Sequence, residues 1–549
     1  MNRLTTICAS GALMLAAGCK DLNLGPKDQV SDASYWKTSE QFRLAANDFY
    51  YGLRGAHNYT ELNSDIASGV GSTEMTAVSN GSYLPTANSD LWTNSYAGIR
   101  GTNYLLAKAT ESGLGSEIDR WVGEALFFRA YHYWNLVKSY GGVPLITKVL
   151  DVTSPELYTA RATQQEVIDF IIADLDNAVP KLFKQSQLDA TEMGRVTQGA
   201  ALALKARVAL YQGTWLKYHA AGSPAAMLDA AVAAADSVVA SAEYQLYADS
   251  GLKSYKYLFI LPGDDSREVI LARRYFAGRT THNWTRELWF NYMIPTKKLA
   301  DMYLATDGLP ITSSPLFAGY DSLTTEFRNR DPRMAMTFVV PGSDVFQESG
   351  FQPVFPGFSG SSATRTGYML RKFLDETTEA AHFAGAYDFK EFRYGEVLLI
   401  LAEALYERDG LISDGDLART IGALRTRAGM PALTNGFVTT NGLDMLTEIR
   451  RERTVELAFE GYRRDDLRRW KTAETEMPQA IRGVKFVGTE YQKRDSTLVV
   501  GVDIQVDAGG FIVAEPASAR QFLPRHYLDP IPLQQIQLSR GTLTQNPGW

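Results

Sequence analysis

The residues of this chain that could do chemistry are spaced too widely to do most of it together. Six histidines, His57, His132, His219, His282, His382 and His526, are scattered over 549 residues. None stands in a His-Glu-x-x-His or carboxylate-histidine spacing that would turn two ligands toward one metal. Each reads as an ordinary surface or core histidine. Both cysteines, Cys8 and Cys19, fall within the first twenty residues, so the body of the chain has no thiol for a disulfide, a zinc-thiolate site or a nucleophile. Adjacent acids such as Asp264-Asp265 and Asp465-Asp466 could supply the two carboxylates of a glycosidase. Neighbours in sequence are more often solvated loop charges. There is no Walker A loop, no G-x-G-x-x-G after a strand and no G-x-S-x-G elbow, and Gly357-Phe358-Ser359-Gly360 is only a glycine-serine turn. No catalytic constellation is recognisable in these motifs, and none of them calls for a cofactor or metal.

Composition and the elements that present these residues carry the reading further. The chain is 45% apolar and 21% charged, a globular balance with length for a large core. Its net charge of -7, with Lys and Arg dispersed among the acids, excludes the positive footprint that a nucleic-acid partner needs. The 28 Tyr, 25 Phe and 9 Trp are rich material for cores and for flat recognition surfaces.

Residues 1 to 18 have the form of a secretory leader, with Arg3 in the n-region and Ile7 to Ala17 as an apolar stretch too short to span a bilayer. It ends in Leu15-Ala16-Ala17-Gly18-Cys19, similar to a bacterial lipobox, which makes Cys19 the acylated anchor. Ala16 stands where Leu is commonest, so a plain signal-peptidase site is the alternative. Residues 19 to 34 are polar with Gly25 and Pro26, as a tether would be, and folded structure is expected from Tyr35.

From there helix signals recur, about a dozen in all. Thr38 with Gln41, Ser116 with Asp119 and Thr163 with Glu166 have capping-box spacing or its acidic variant. Gly141-Gly142, Gly213 and Gly410 mark stops. The pattern predicts helical neighbours 117–139 with 164–180, 195–212 with 227–241, 393–409 with 415–428, and 443–460 with 463–471. In 393–409, Tyr394, Leu398, Leu401 and Leu405 share a face, with Glu396 and Glu403 opposite and open to ion pairs. The charged run Ile449 to Gly461 reads as a salt-bridge lattice between helices. The expected fold is mainly α, with helix pairs in 117–241 and 393–471 whose nearest repeat type by length is the tetratricopeptide unit; the length fits about 3 to 4 domains or one unusually large one. Loop-rich segments with minor β lie at about 60–95, 244–294 and 310–387.

Several segments taken together resemble the SusD-like (RagB/SusD) family of cell-surface lipoproteins. They are Gly123 to Tyr131 leading to Gly142-Val143-Pro144-Leu145-Ile146; Gly194-Arg195-Val196 ahead of Ala200 to Arg207; and Arg393 to Leu399 with Ala402-Glu403-Ala404. After these come Ile449 to Arg453 and Glu460-Gly461 with Asp466 to Trp470, Tyr527 to Pro532, and Leu543 to Trp549. The resemblance implies one large α-helical domain over 35–549, in which tetratricopeptide-like pairs form a scaffold facing a SusC-like TonB-dependent transporter in the outer membrane. It also implies a lid that captures an oligosaccharide or polysaccharide at the cell surface without catalysis, with peptide or another nutrient as the less common cargo. A secreted helical enzyme is the remaining alternative.

The shared motifs carry no ligand contacts, so the glycan site is chosen by local chemistry. Sugars need flat aromatic platforms rimmed by hydrogen-bonding groups, and loops present these better than helix stripes. Trp284, Trp289 and Tyr292, in the run His282 to Tyr292, are the main candidates. Tyr83 and Trp92 follow the glycine- and serine-rich stretch 68–82, Trp92 with the alternative of an anchor under the next helix. Asp65 precedes that stretch and could accept from sugar hydroxyls, or be a helix-end charge.

Overall fold

The computed structural model describes residues 32, 34–69, 73–345, 364–376 and 381–549. The leader, Cys19 and nearly all of the tether lie outside the described residues. The first helix, α1 (Ser39–Ala46), opens on the expected capping box, with Thr38 accepting from the Gln41 N–H and Gln41 answering the Thr38 backbone. A short helix α2 (Thr73–Asn80) precedes α3 (Asp90–Ser112) and α4 (Asp119–Tyr140). The second capping box, Thr163 with Glu166, starts α5 (Gln164–Ala178). Ser116 does not cap: it sits inside a 3-10 turn (Gly115–Ile118), and α4 follows that turn directly with no side-chain cap.

Helices α6 (Gln198–Tyr218) and α7 (Ala225–Ala240) form the tightest pair. Gly213 is not a stop, since α6 runs through it for another turn. A Cβ at Gly213 would lie 2.8 Å from Leu228 Cδ2 of α7, so the glycine is there for close approach. Gly213→Val is expected to cost about 1–3 kcal/mol through overpacking, read as a lower urea midpoint; an unchanged midpoint would show that the pair can part freely.

Next come α8 (Trp284–Trp289) and α9 (Tyr394–Asp409), the latter closed by left-handed Gly410. Helix α9 packs on α7 and on α11 (Met445–Glu456), while α4 packs between α3 and α5. The expected helix 415–428 is broken in two at Thr420 (φ -117°, ψ -96°), and its second half is α10 (Ile421–Ala428). The expected helix 443–460 stops at Glu456, and Phe459 beyond it adopts φ 65°. That turn lets the Gly461 N–H reach Glu61 Oε2 at 2.8 Å. The helix α12 (Arg463–Arg469) follows.

Three antiparallel two-stranded ribbons join distant segments: β1 (Ala67–Ser68) with β3 (Ile294–Pro295), β2 (Val269–Arg273) with β4 (Phe389–Arg393), and β5 (Ile481–Lys485) with β6 (Phe511–Glu515). Two large apolar cores result, with a small third cluster of Leu304, Ala428 and Met430. One gathers the helix pairs around Phe127, Ile168, Leu204 and Leu401, all fully buried. The other fills the loop-rich half around Phe259, Leu288, Leu299 and Phe338. Helix α11 serves both, giving Ile449 to the first and Val455 to the second.

Charge is buried at this seam. Glu456 meets Arg393 at 2.8 Å, Arg427 at 2.5 Å and Arg333 at 2.9 Å, all with side chains nearly inaccessible. Arg393 also holds Glu460 at 2.7 Å and Glu268 at 2.9 Å. The expected lattice is therefore present, inside the protein rather than on a helix surface. Glu396 and Glu403 are likewise 1% and 0% exposed, paired with Arg207 and Arg469, because neighbouring elements cover every side of α9.

Candidate ligand-binding site

Two loop regions that are more than 200 residues apart meet along the β1–β3 ribbon, where Ala67 faces Pro295 and Ser68 faces Ile294. The Thr296 N–H donates to Ile66 O at 3.1 Å and its hydroxyl to Asp65 O at 3.1 Å, which fixes the register. Gly69 continues the strand directly against the next loop: a Cβ there would lie 2.6 Å from the Tyr292 carbonyl oxygen. Only a residue without a side chain permits that approach.

Around this ribbon an exposed face collects rings and hydrogen-bonding groups. Tyr292 is 44% exposed. Its N–H donates to Glu287 O at 3.1 Å, which folds the chain back over the end of α8. The Tyr59 hydroxyl donates to the Glu287 carboxylate. Burial and that carboxylate together push the phenol far above its usual range, so it stays a donor. His57, on the surface, lies 2.5 Å from Asn283 Oδ1 and 3.6 Å from Glu287. Arg286 stacks over Phe290 at 4.7 Å and approaches exposed Phe383 at 5.5 Å. An amide, a carboxylate, an imidazole and a guanidinium thus surround aromatic surface. That arrangement can grip a ring that is apolar on its faces and polar at its rim.

Of the residues nominated from sequence, Tyr292 alone stands exposed on this face. Trp284 is corrected: its ring is 2% exposed, in the second core, with Tyr59 edge-on at 5.0 Å and His57 at 5.8 Å above it. It supports the face from beneath and cannot stack on a ligand. Trp289 is half-buried against the same core. Asp65 is also corrected: it is 2% exposed, held by Arg463 at 2.8 Å and Lys298 at 2.9 Å. Those two cations hold its carboxyl well below the usual range, so the group is a buried ion-pair partner, not a rim acceptor. Trp92 is 5% exposed and packs on Tyr96 and Tyr140, the anchor role that was its alternative.

Tyr83 sits elsewhere, on the wall of a cleft of about 1270 Å³ between the 3-10 turn Asn47–Gly52, α3 and α4. Its hydroxyl donates to Asp529 at 3.3 Å and its ring leans on Trp549 at 4.9 Å. Sequence reasoning missed His57, Tyr59, Glu287 and Phe383, because their meeting depends on a ribbon that no local pattern announces. Among the described residues no cluster of His, Cys, Asp and Glu could hold a metal ion, and no helix is long and apolar enough to cross a membrane.

Comparison with known proteins places the fold. The model of the SusD family matches residues 263–549, and a second model, described as starch-binding associating with the outer membrane, matches residues 40–210. A SusD-like protein of Formosa agariphila is 24% identical over 487 residues, covering 82% of this chain and 88% of that protein. The crystal structure of a SusD-like carbohydrate-binding protein from Bacteroides fragilis superposes with a TM-score of 0.77 at 24% identity, covering 92% of this chain and 99% of that one. A laminarin-binding SusD-like protein superposes with a TM-score of 0.60 at 22% identity, covering 93% of this chain and 100% of that one. With helices α9 to α12, the Glu456 lattice and the C-terminal segments inside one matched span of more than half its length, this chain belongs to the SusD family.

Proposed function

We propose that this protein is a surface glycan-binding lipoprotein, anchored through Cys19, that captures an oligosaccharide or polysaccharide and passes it to a SusC-like TonB-dependent transporter of the outer membrane. The observation that carries the binding half of this reading is the exposed face at the β1–β3 ribbon. There Tyr292 is 44% exposed beside His57, Asn283 and the Tyr59–Glu287 pair. Family membership and the carbohydrate-binding relatives support the ligand class. The lipobox-like Leu15 to Cys19 supports the anchor and the surface location.

Affinity electrophoresis of the full chain in detergent, through gels containing laminarin, starch or other polysaccharides, tests this reading. Retardation by at least one glycan without release of products is expected; breakdown of the glycan would replace a binder with an enzyme. Tyr292→Ala removes the exposed platform and is expected to weaken retention roughly tenfold, equivalent to about 1.4 kcal/mol, while leaving the fold intact. Equal retention of the variant and the parent chain would remove Tyr292 from the site. Co-purification with a transporter through the outer membrane tests the delivery half, and a chain that always runs alone would count against it.

A further inference from the structure

The cleft that holds Tyr83 is distinct from the face at Tyr292, although both back onto one short 3-10 turn, Tyr59–Asn63. Tyr59 points its hydroxyl to Glu287 on the face, whereas Thr60 and Asn63 line the cleft. At about 1270 Å³ the cleft exceeds the ~300–1,000 Å³ usual for small-molecule sites. On its α3 side it is lined mainly by small residues, Ser95, Ala97, Gly98 and Gly101, with Asn94.

Two polar groups in this cleft lack partners. His132 is 6% exposed, and among the described residues its ring has no hydrogen-bond partner. The imidazole is seated between two glycines: a Cβ at Gly98 would lie 2.1 Å from its Nε2 and a Cβ at Gly52 would lie 2.8 Å from its Cε1. Burial pushes its pKa down to about 4, so at neutral pH it offers one donor and one acceptor. Asn63 Oδ1 is buried and without a partner as well. Polar groups left in this way can take their partner from water or from a ligand in the cleft.

The charges along the walls, by contrast, are already answered within the protein. Lys138 pairs with Asp465 at 3.3 Å, Arg464 with Asp529 at 2.7 Å and Arg54 with Glu391 at 2.8 Å. Among the described lining residues only Asp48, at the rim, carries a charge without an ion-pair partner. A charged ligand would have to compete for these pairs; a neutral one would not. Exposed Tyr51 and half-buried Tyr83 add ring surface.

We propose that this cleft is a second ligand site, separate from the Tyr292 face, that takes a neutral polyhydroxylated ligand, a short saccharide segment, on His132 and Asn63. The proposal rests on the glycan reading for its ligand class but not for its location. Its test gives each site its own reporter, since His57 lies on the face and His132 in the cleft, and the chain has only six histidines. The full chain, labelled at histidine ring carbons and held in detergent, is titrated with laminarihexaose, maltohexaose and cellohexaose. His57→Gln and His132→Gln assign the two ring signals.

The expected result is a saturable shift of the His132 signal with at least one sugar, retained in Tyr292→Ala. In Asn94→Trp, which fills the cleft from an exposed position on α3, that affinity falls at least about tenfold. Ala97→Trp, also exposed and lining the cleft, repeats the block should Asn94→Trp unfold. A His57 response without any His132 response overturns the second site and keeps the first. A His132 response alone overturns the face and keeps the cleft. Silence of both signals at saturating concentrations of all three sugars overturns both.

Discussion

Glu456→Gln is expected to lower the unfolding free energy by about 3–5 kcal/mol, the cost of breaking a buried ion pair from one side. Glutamine keeps the shape of the side chain but offers one oxygen and no charge to the three guanidinium groups of Arg333, Arg393 and Arg427. Those arginines cannot turn to water, since each is nearly inaccessible. The three guanidiniums hold the Glu456 carboxyl far below its usual range, so the anion is the form the fold depends on. The effect should be large because the lattice lies between the two cores: loosening it unlinks α11 and β4 from the loop-rich half. Urea unfolding read by circular dichroism checks this, and a midpoint within the scatter of the parent chain would mean that the lattice is not needed for stability.

Trp284→Ala is expected to cost about 3–5 kcal/mol as well, through the cavity left by a fully buried indole. The ring fills the floor beneath Tyr59 and His57 and the second core closes around it. Any loss of glycan retention in this variant should therefore come with a lowered urea midpoint, whereas Tyr292→Ala should lose retention at an unchanged midpoint. The pair of variants separates a supporting ring from a contacting one. Normal stability in Trp284→Ala would return the indole to the ligand site.

Much of the scaffold could be read before any coordinates, and for local reasons. The boxes at Thr38 and Thr163, the cap at Gly410 and the helix pair 198–218 with 225–240 depend on residues a few positions apart, where spacing and side-chain type decide the outcome. The misread elements depend on partners far away. Gly213 looked like a stop because glycine disfavours helices, and only the neighbouring Leu228 explains why a glycine is retained within one. Helix α11 ends at Glu456 because Gly461 must reach Glu61, some 400 residues earlier.

The site was less legible still. Sequence pattern picked out the loop His282 to Tyr292 by its density of rings, and the exposed Tyr292 lies in it. It could not tell Tyr292 from Trp284, eight residues earlier, since ring chemistry is the same whether the ring faces water or the core. For Asp65 the deciding partners were Arg463 and Lys298, and a carboxylate beside two buried cations is committed to them.

By itself, then, the sequence determined the helical class, the order of the main helices, the arrangement of family motifs from Gly123 to Trp549 and the absence of recognisable catalytic motifs. These follow from short-range periodicity and from residue types that no folding can change. Only the tertiary structure decided which aromatic rings are floor and which are surface, where the charges of α9 and α11 are buried, and that His132 lies unpartnered between two glycines. Exposure and pairing are set by contacts across hundreds of residues, such as the β1–β3 ribbon joining Ala67 to Pro295, and spacing along the chain carries no measure of them.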